Sequence, residues 1–260
     1  MRRVSIVLAG CLLASLAAAG LAEAKPTVSF KAKAVPIKGF PHTGNILGAG
    51  AAVQAEYRIS GTEYGGFPPP LIGVNFYLPK GTVLHTSGFP TCALTKLEQV
   101  GPSGCPRGSA AGPVGKVQGI VSFGTERVEE GATLESFYAP GGGFEFFTNG
   151  HSPVSLEILS KGRYVHLGGA GGFGPELVAE VPLVSTVPGA PFASVESISV
   201  KAGSARKVHG KPVYYGRVPK KCPRGGFPIK TEMIFDEGGA VPPVPEVVTA
   251  TYKSPCPKGH

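Results

Sequence analysis

Leu71-Ile-Gly-Val-Asn-Phe-Tyr-Leu-Pro-Lys-Gly81 and Cys92-Ala-Leu-Thr-Lys-Leu-Glu-Gln-Val-Gly-Pro-Ser-Gly-Cys105 are the two halves of the stretch on which the fold turns. The first half reads as an apolar strand, Leu71 to Leu78, delivered into a Pro79-Lys80-Gly81 turn. The second has room for two helical turns over Cys92 to Gln99 before Gly101-Pro102 ends them, because proline cannot donate to a helix and blocks the preceding turn. Strand-like sequence resumes from Lys116 to Phe123. The stretch therefore reads as a disulfide-pinned crossover between two strands.

The flanks alternate with the period of a half-buried antiparallel strand. Val28, Phe30, Ala32 and Ala34 face one way against Ser29, Lys31 and Lys33, and Ala51, Val53, Ala55, Tyr57 and Ile59 oppose Gln54, Glu56 and Arg58. Short strands are expected over Ala132 to Tyr138, Phe144 to Thr148, Val154 to Leu159, Tyr164 to Leu167, Glu176 to Val187 and Ala193 to Val200, with turns at Asn149-Gly150 and Ser160-Lys161-Gly162. Pro228 to Phe235 and Val247 to Lys253 read as a terminal hairpin. With 39 Gly, 26 Pro and no Trp, long helices are disfavoured. The fold expected is all-β, an antiparallel β-sandwich of jelly-roll or Ig-like type with one short helical crossover near 92–99. Residues 25–260 are assigned to a single domain, with Ala139-Pro-Gly-Gly-Gly143 as the alternative boundary between two β subdomains.

Residues 1–24 read as a signal peptide: Arg2 and Arg3, an apolar run to Leu21, and Ala22-Glu23-Ala24 before the expected cleavage point. Leu8-Ala9-Gly10-Cys11 also spells a lipobox, which makes a lipoprotein anchored through Cys11 the alternative. The expected location is secreted or associated with the cell wall, with no transmembrane segment after cleavage. Four cysteines follow residue 24, and an even count in an exported chain reads as two disulfides. Proximity favours Cys92–Cys105 with Cys222–Cys256 over the two other pairings, and the second pair flanks the terminal hairpin.

The order of strand, LPKG, PTC, GPSGCPRGS and a terminal CPRGG, TEMIFDEGG and PCP resembles that of secreted proteins of high-GC Gram-positive bacteria. The resemblance implies export and a β-sandwich, and it brings no catalytic residues with it.

Motifs that suggest chemistry fail on their context. Gly150-His-Ser-Pro-Val154 starts like an esterase elbow, but Val154 stands where the last glycine belongs and a strand, not a helix, is expected to follow. Gly169-Ala-Gly-Gly-Phe-Gly174 matches a dinucleotide fingerprint without the helix whose free amides would meet the phosphates. The histidines are scattered, and Asp236 is the only aspartate, so no metal and no cofactor are expected. Glu129 and Glu130 are adjacent and point to opposite faces of a strand. Glu145 and Glu157 lie on neighbouring strands and are the pair a wall-acting glycan hydrolase would use, which needs two carboxyl groups about 5–10 Å apart.

Charge is the feature that stands out. Nine cations lie between Lys201 and Lys230 (Lys201, Arg206, Lys207, Lys211, Arg217, Lys220, Lys221, Arg224 and Lys230) with no acid among them, against a net charge of +8 for the whole chain. The basicity is local, which is what an anion-binding surface needs. The function expected is an exported, non-catalytic role at or outside the cell envelope, with an anionic cell-wall polymer or glycan as partner and no sequence-specific nucleic acid. The alternatives are a glycan hydrolase and a carbohydrate-binding module, the latter weakened by the lack of Trp.

Overall fold

The computed structural model describes residues 25–40, 46–123, 125–166, 170–237 and 242–256. Residues 1–24, where a signal peptide is expected, lie outside the described residues, Cys11 among them. Eleven of the strands form one antiparallel sheet. They are β1 (Thr27–Pro36), β2 (Ala51–Ser60), β3 (Leu71–Pro79), β5 (Gly115–Phe123), β6 (Glu126–Tyr138), β7 (Phe144–Ser152), β8 (Leu156–His166), β9 (Phe173–Glu180), β10 (Ser194–Ala202), β14 (Phe227–Asp236) and β15 (Pro245–Ser254). Their order is β1-β2-β10-β5-β6-β7-β8-β9-β3-β14-β15. The chain is all-β with one short helix, α1 (Leu94–Val100), as its composition demands.

The sheet curls until its first and last strands lie side by side. Phe30 of β1 meets Tyr252 of β15 at 6.1 Å between ring centres, and Lys25 pairs with Glu246 at 3.1 Å. Two layers thus face each other as halves of one continuous, nearly closed barrel. With an odd number of alternating strands, β1 and β15 run parallel, so the ladder that joins every other neighbouring pair cannot simply continue across this seam. The strands on either side of 139–143, β6 and β7, are neighbours in the sheet.

The period-2 pattern decides the faces. Phe30, Tyr57, Phe76, Met233 and Phe235 point inward and form the largest core cluster. The exposed side chains of Lys31, Glu56, Arg58 and Lys116 stand on the outer wall, the reverse of a barrel that faces lipid. Both disulfides are formed, Cys92–Cys105 and Cys222–Cys256. The first pins α1 to the outside of the barrel, where Leu97 packs with Phe137 of β6 and Phe147 of β7.

Two turn expectations are corrected. Asn149 and Gly150 lie inside β7, opposite Glu157 and Leu156 of β8, and the chain reverses beyond Ser152 instead. Glu130 clasps that reversal, accepting hydrogen bonds from the amides of Ser152 and Val154 at 3.0 Å each. Ser160-Lys161-Gly162 lies within β8, which is one strand where two were expected. A Cβ on Gly162 would stand 3.1 Å from both Phe146 and Leu177, so packing inside the barrel, not a turn, calls for glycine there.

Candidate functional site

Barrel interiors widen with strand number. About eight strands leave room for side chains or one small ligand, and eleven leave more than small side chains can fill. Here the inward positions include Ala34, Ala51, Val53, Ala55, Val117, Ala179, Val195, Val200 and Ala202, all short. The result is a cavity of about 470 Å³ inside the barrel. Val53, Val74, Leu177, Ile198 and Val200 point inward yet are only partly buried, because part of their surface faces this space. Polar groups on its wall are few, among them Thr148, Ser160 and the phenol-bearing Tyr57 and Tyr164. Burial pushes the Tyr57 phenol far above its ordinary value, as it does for Tyr164 with Tyr215 and Tyr138 nearby, so both stay neutral.

The two ends of the barrel differ. At the end where β2 finishes and β3 begins, the guanidinium of Arg127 lies between the rings of Tyr64 and Phe67 at 4.7 and 4.8 Å. It donates to the Tyr64 carbonyl and to the Ser194 hydroxyl, and Pro69 and Pro70 are fully buried beside this closure. At the opposite end the basic segment folds over the opening. Gly203, held at φ 116°, turns the chain out of β10 close against Ala52. β11 (Ala205–Val208) and β12 (Lys211–Tyr214) then form a hairpin. Tyr215 enters the barrel mouth and stacks on Tyr138 at 4.2 Å, with Phe89 and Phe144 around it. The Tyr138 hydroxyl shares a 2.8 Å hydrogen bond with Ser204, while burial pushes its phenol up to about 12. Finally β13 (Gly216–Arg217) pairs with β4 (Val83–Leu84), making a two-residue ribbon along the rim.

The nine cations of the segment are divided by this arrangement. Lys230 sits on the outer face of β14, paired with Glu232 at 2.7 Å and lying over the Tyr77 ring at 3.7 Å. Burial pushes the Glu232 carboxyl up, but hydrogen bonds from Lys230, Tyr77 and Asn75 outweigh it and hold the group below the usual carboxylate range. Arg206 donates to the Gly88 carbonyl. Lys201 is the last residue but one of β10, Lys207 and Lys211 are exposed on the hairpin, and Lys220, Lys221 and Arg224 are exposed on the loop beyond the ribbon. Arg217 is half-buried in the ribbon and lines the cavity itself.

The hydrolase pair is not brought together. Glu145 stands opposite Lys161 and Glu157 opposite Asn149, so both carboxylates are on the outer face but four residues apart along the ladder. At about 3.3 Å per residue that is roughly 13 Å, too far for either glycosidase geometry. Glu145 is also buried, and its Oε1 accepts from Arg163 Nη2 at 3.1 Å. The two borrowed motifs have the wrong context as well. Ser152 ends β7 with no helix after it, and the glycines at 171–172 pass directly into β9, while Gly169 lies outside the described residues. Among the described residues no three His, Cys, Asp or Glu side chains cluster as metal ligands would.

The cavity is the feature that sequence reading missed. Its one signal was the small size of the inward residues on β1, β2 and β10, which mark a wall that cannot meet the opposite wall. Comparison with protein-family models, with curated proteins and with solved structures finds no match to the chain.

Proposed function

We propose that this protein is a binding protein that holds an apolar small molecule inside its barrel, in an oxidising compartment at or outside the cell envelope. The observation that carries this reading is the 470 Å³ interior cavity with a nearly continuous hydrocarbon lining. That volume falls in the range of small-molecule sites, about 300–1,000 Å³. Natural cores are packed close to crystal density with few voids larger than a water molecule, so a space of this size costs stability that tighter packing would recover. Two disulfides support the compartment, since such bonds persist where thiols are not kept reduced.

The test is a titration with the neutral dye N-phenyl-1-naphthylamine, which brightens in apolar surroundings. Saturable binding of one dye per chain is expected, weakened at least tenfold by Ile198→Trp, which fills the cavity from β10. Absence of saturable binding, or an Ile198→Trp variant that folds and binds as wild type does, contradicts the reading.

A second reading rests on the exposed cations Lys207, Lys211, Lys220, Lys221 and Arg224, which suit an anionic wall polymer. Retention on purified cell wall that falls with salt, and falls further when Lys207, Lys211, Lys220 and Lys221 are changed to Glu, is its expected signature. Retention equal between the two proteins and insensitive to salt ends it.

A further inference from the structure

We infer that the occupant of the barrel is an anionic amphiphile, its tail in the cavity and its carboxylate or phosphate head held at the rim by Arg217. This rests on the reading of the barrel as a binding site and adds the chemistry of the ligand.

Arg217 is placed where two spaces meet. It lines the barrel cavity and also a smaller pocket of about 270 Å³ bounded by Gly48, Gly81, Val83, Val218 and Lys220. The β4–β13 ribbon thus separates an apolar interior from a small basin whose charged walls are Arg217 and Lys220. Small residues keep the basin open: a Cβ on Gly48 would stand 3.3 Å from the Lys220 side chain, and one on Gly81 would stand 3.4 Å from Pro219.

The electrostatics of Arg217 are incomplete. Its guanidinium lies over the Tyr214 ring at 5.4 Å, and its Nε is buried without a hydrogen-bond partner. Among the described residues the ion pairs are Lys25–Glu246, Arg163–Glu145 and Lys230–Glu232, and none includes Arg217. A cation at the mouth of a hydrocarbon cavity with no carboxylate beside it has lost hydration without gaining a counter-charge. Guanidinium is the side chain whose planar fork matches carboxylate and phosphate, and an anion there would satisfy it.

Charge across the whole barrel points the same way. Lys33, Lys80, Lys201, Lys220, Lys221 and Arg224 lie toward the Arg217 end, where β1, β3 and β10 finish. Glu63, Glu126, Glu180, Glu196, Glu237 and Glu246 lie toward the other, where β6 and β15 begin and β9 finishes, and outnumber Lys25, Arg58 and Arg127 there, as the cations outnumber Glu145 and Glu176 at the first. Such a field draws an anion to the rim and disfavours its entry from the opposite end. The basic segment acquires a physical task on this account, since part of it forms the cover of the cavity.

The experiment is displacement of N-phenyl-1-naphthylamine by three competitors of equal chain length: dodecanoate, dodecyl phosphate and dodecan-1-ol. In wild type at least one of the two anions is expected to displace the dye at a concentration about tenfold or more below that of the alcohol. Comparison of the two anions identifies the head group. Arg217→Gln is expected to bring the displacing concentrations of anion and alcohol to within about threefold of each other, and Arg217→Lys, which keeps the charge but not the planar fork, to retain only part of the difference. Equal displacement by all three competitors overturns the assignment, as does an anion preference that survives Arg217→Gln. Those results leave the barrel reading standing. Failure of the dye to bind wild type at all removes both together.

Discussion

Glu145 shows how much the setting of a single residue decides. It lies on the outer face of β7, where a carboxylate would ordinarily meet water, yet it is 1% exposed, with Arg163 against it and α1 packed on Phe137 of β6 and Phe147 of β7. Burial pushes its carboxyl up, and Arg163 at 3.1 Å opposes that shift. Its second oxygen has no partner. Removing Arg163 takes away the direct ion pair and leaves only Lys161, opposite on β8, to offset the enclosed charge, so Arg163→Ala is expected to destabilise the fold at pH 7 by about 2 kcal/mol. The figure is below the 3–5 kcal/mol typical of enclosed pairs because the Arg163 side chain is 43% exposed. The sign of the pH dependence follows from the raised carboxyl. The folded state then binds the proton more tightly than the unfolded state, so the deficit is full above the folded pKa and shrinks as pH falls through it toward the ordinary carboxylate range near 4.3. Glu145→Gln is expected to cost less than about 1 kcal/mol and to show no such dependence. Urea unfolding at pH 7 and pH 4.5 checks both, and an Arg163→Ala deficit that grows on acidification contradicts the account.

At the scale of elements, the helix and its disulfide are scaffold. α1 lies outside the barrel, and Cys92–Cys105 closes a short loop around it with thirteen residues of separation. Loop entropy gives that bond about 3 kcal/mol. A Cys92→Ser/Cys105→Ser variant is therefore expected to lose about that much stability while binding the dye within twofold of wild type. A large loss of affinity in a folded variant would place the cavity's integrity on the wrong element. These elements were legible because their signals are local. Alternation marked β1 and β2, a continuous apolar run marked β3, Gly101-Pro102 stopped the helix, and the Cys222–Cys256 spacing bracketed β14 and β15. Asn149-Gly150 misled for a physical reason. A two-residue turn competes with a ladder, and here β7 gains pairing to both β6 and β8 by running on to Ser152, where Glu130 receives the reversal.

For the molecule as a whole, the sheet's closure was not legible and its composition was. A period of two says which face is apolar but not which strands pair, and β10 inserting between β2 and β5 is a contact between residues far apart in sequence. The cavity is further still from any local signal, because it is the sum of short side chains on many strands, each unremarkable alone. The basic segment was visible as a cluster of cations, but its fold over the barrel mouth, with Tyr215 inserted and Arg217 on the rim, depends on that closure. What sets this barrel apart from a collapsed core is an open apolar space inside it. Small dry cavities take up xenon, so crystals pressurised with the gas test it most directly. Xenon is expected inside the barrel against Val53, Leu177, Ile198 and Val200, and is expected to be lost in Ile198→Trp. A wild-type interior that takes up no xenon and is filled by its own side chains would contradict it.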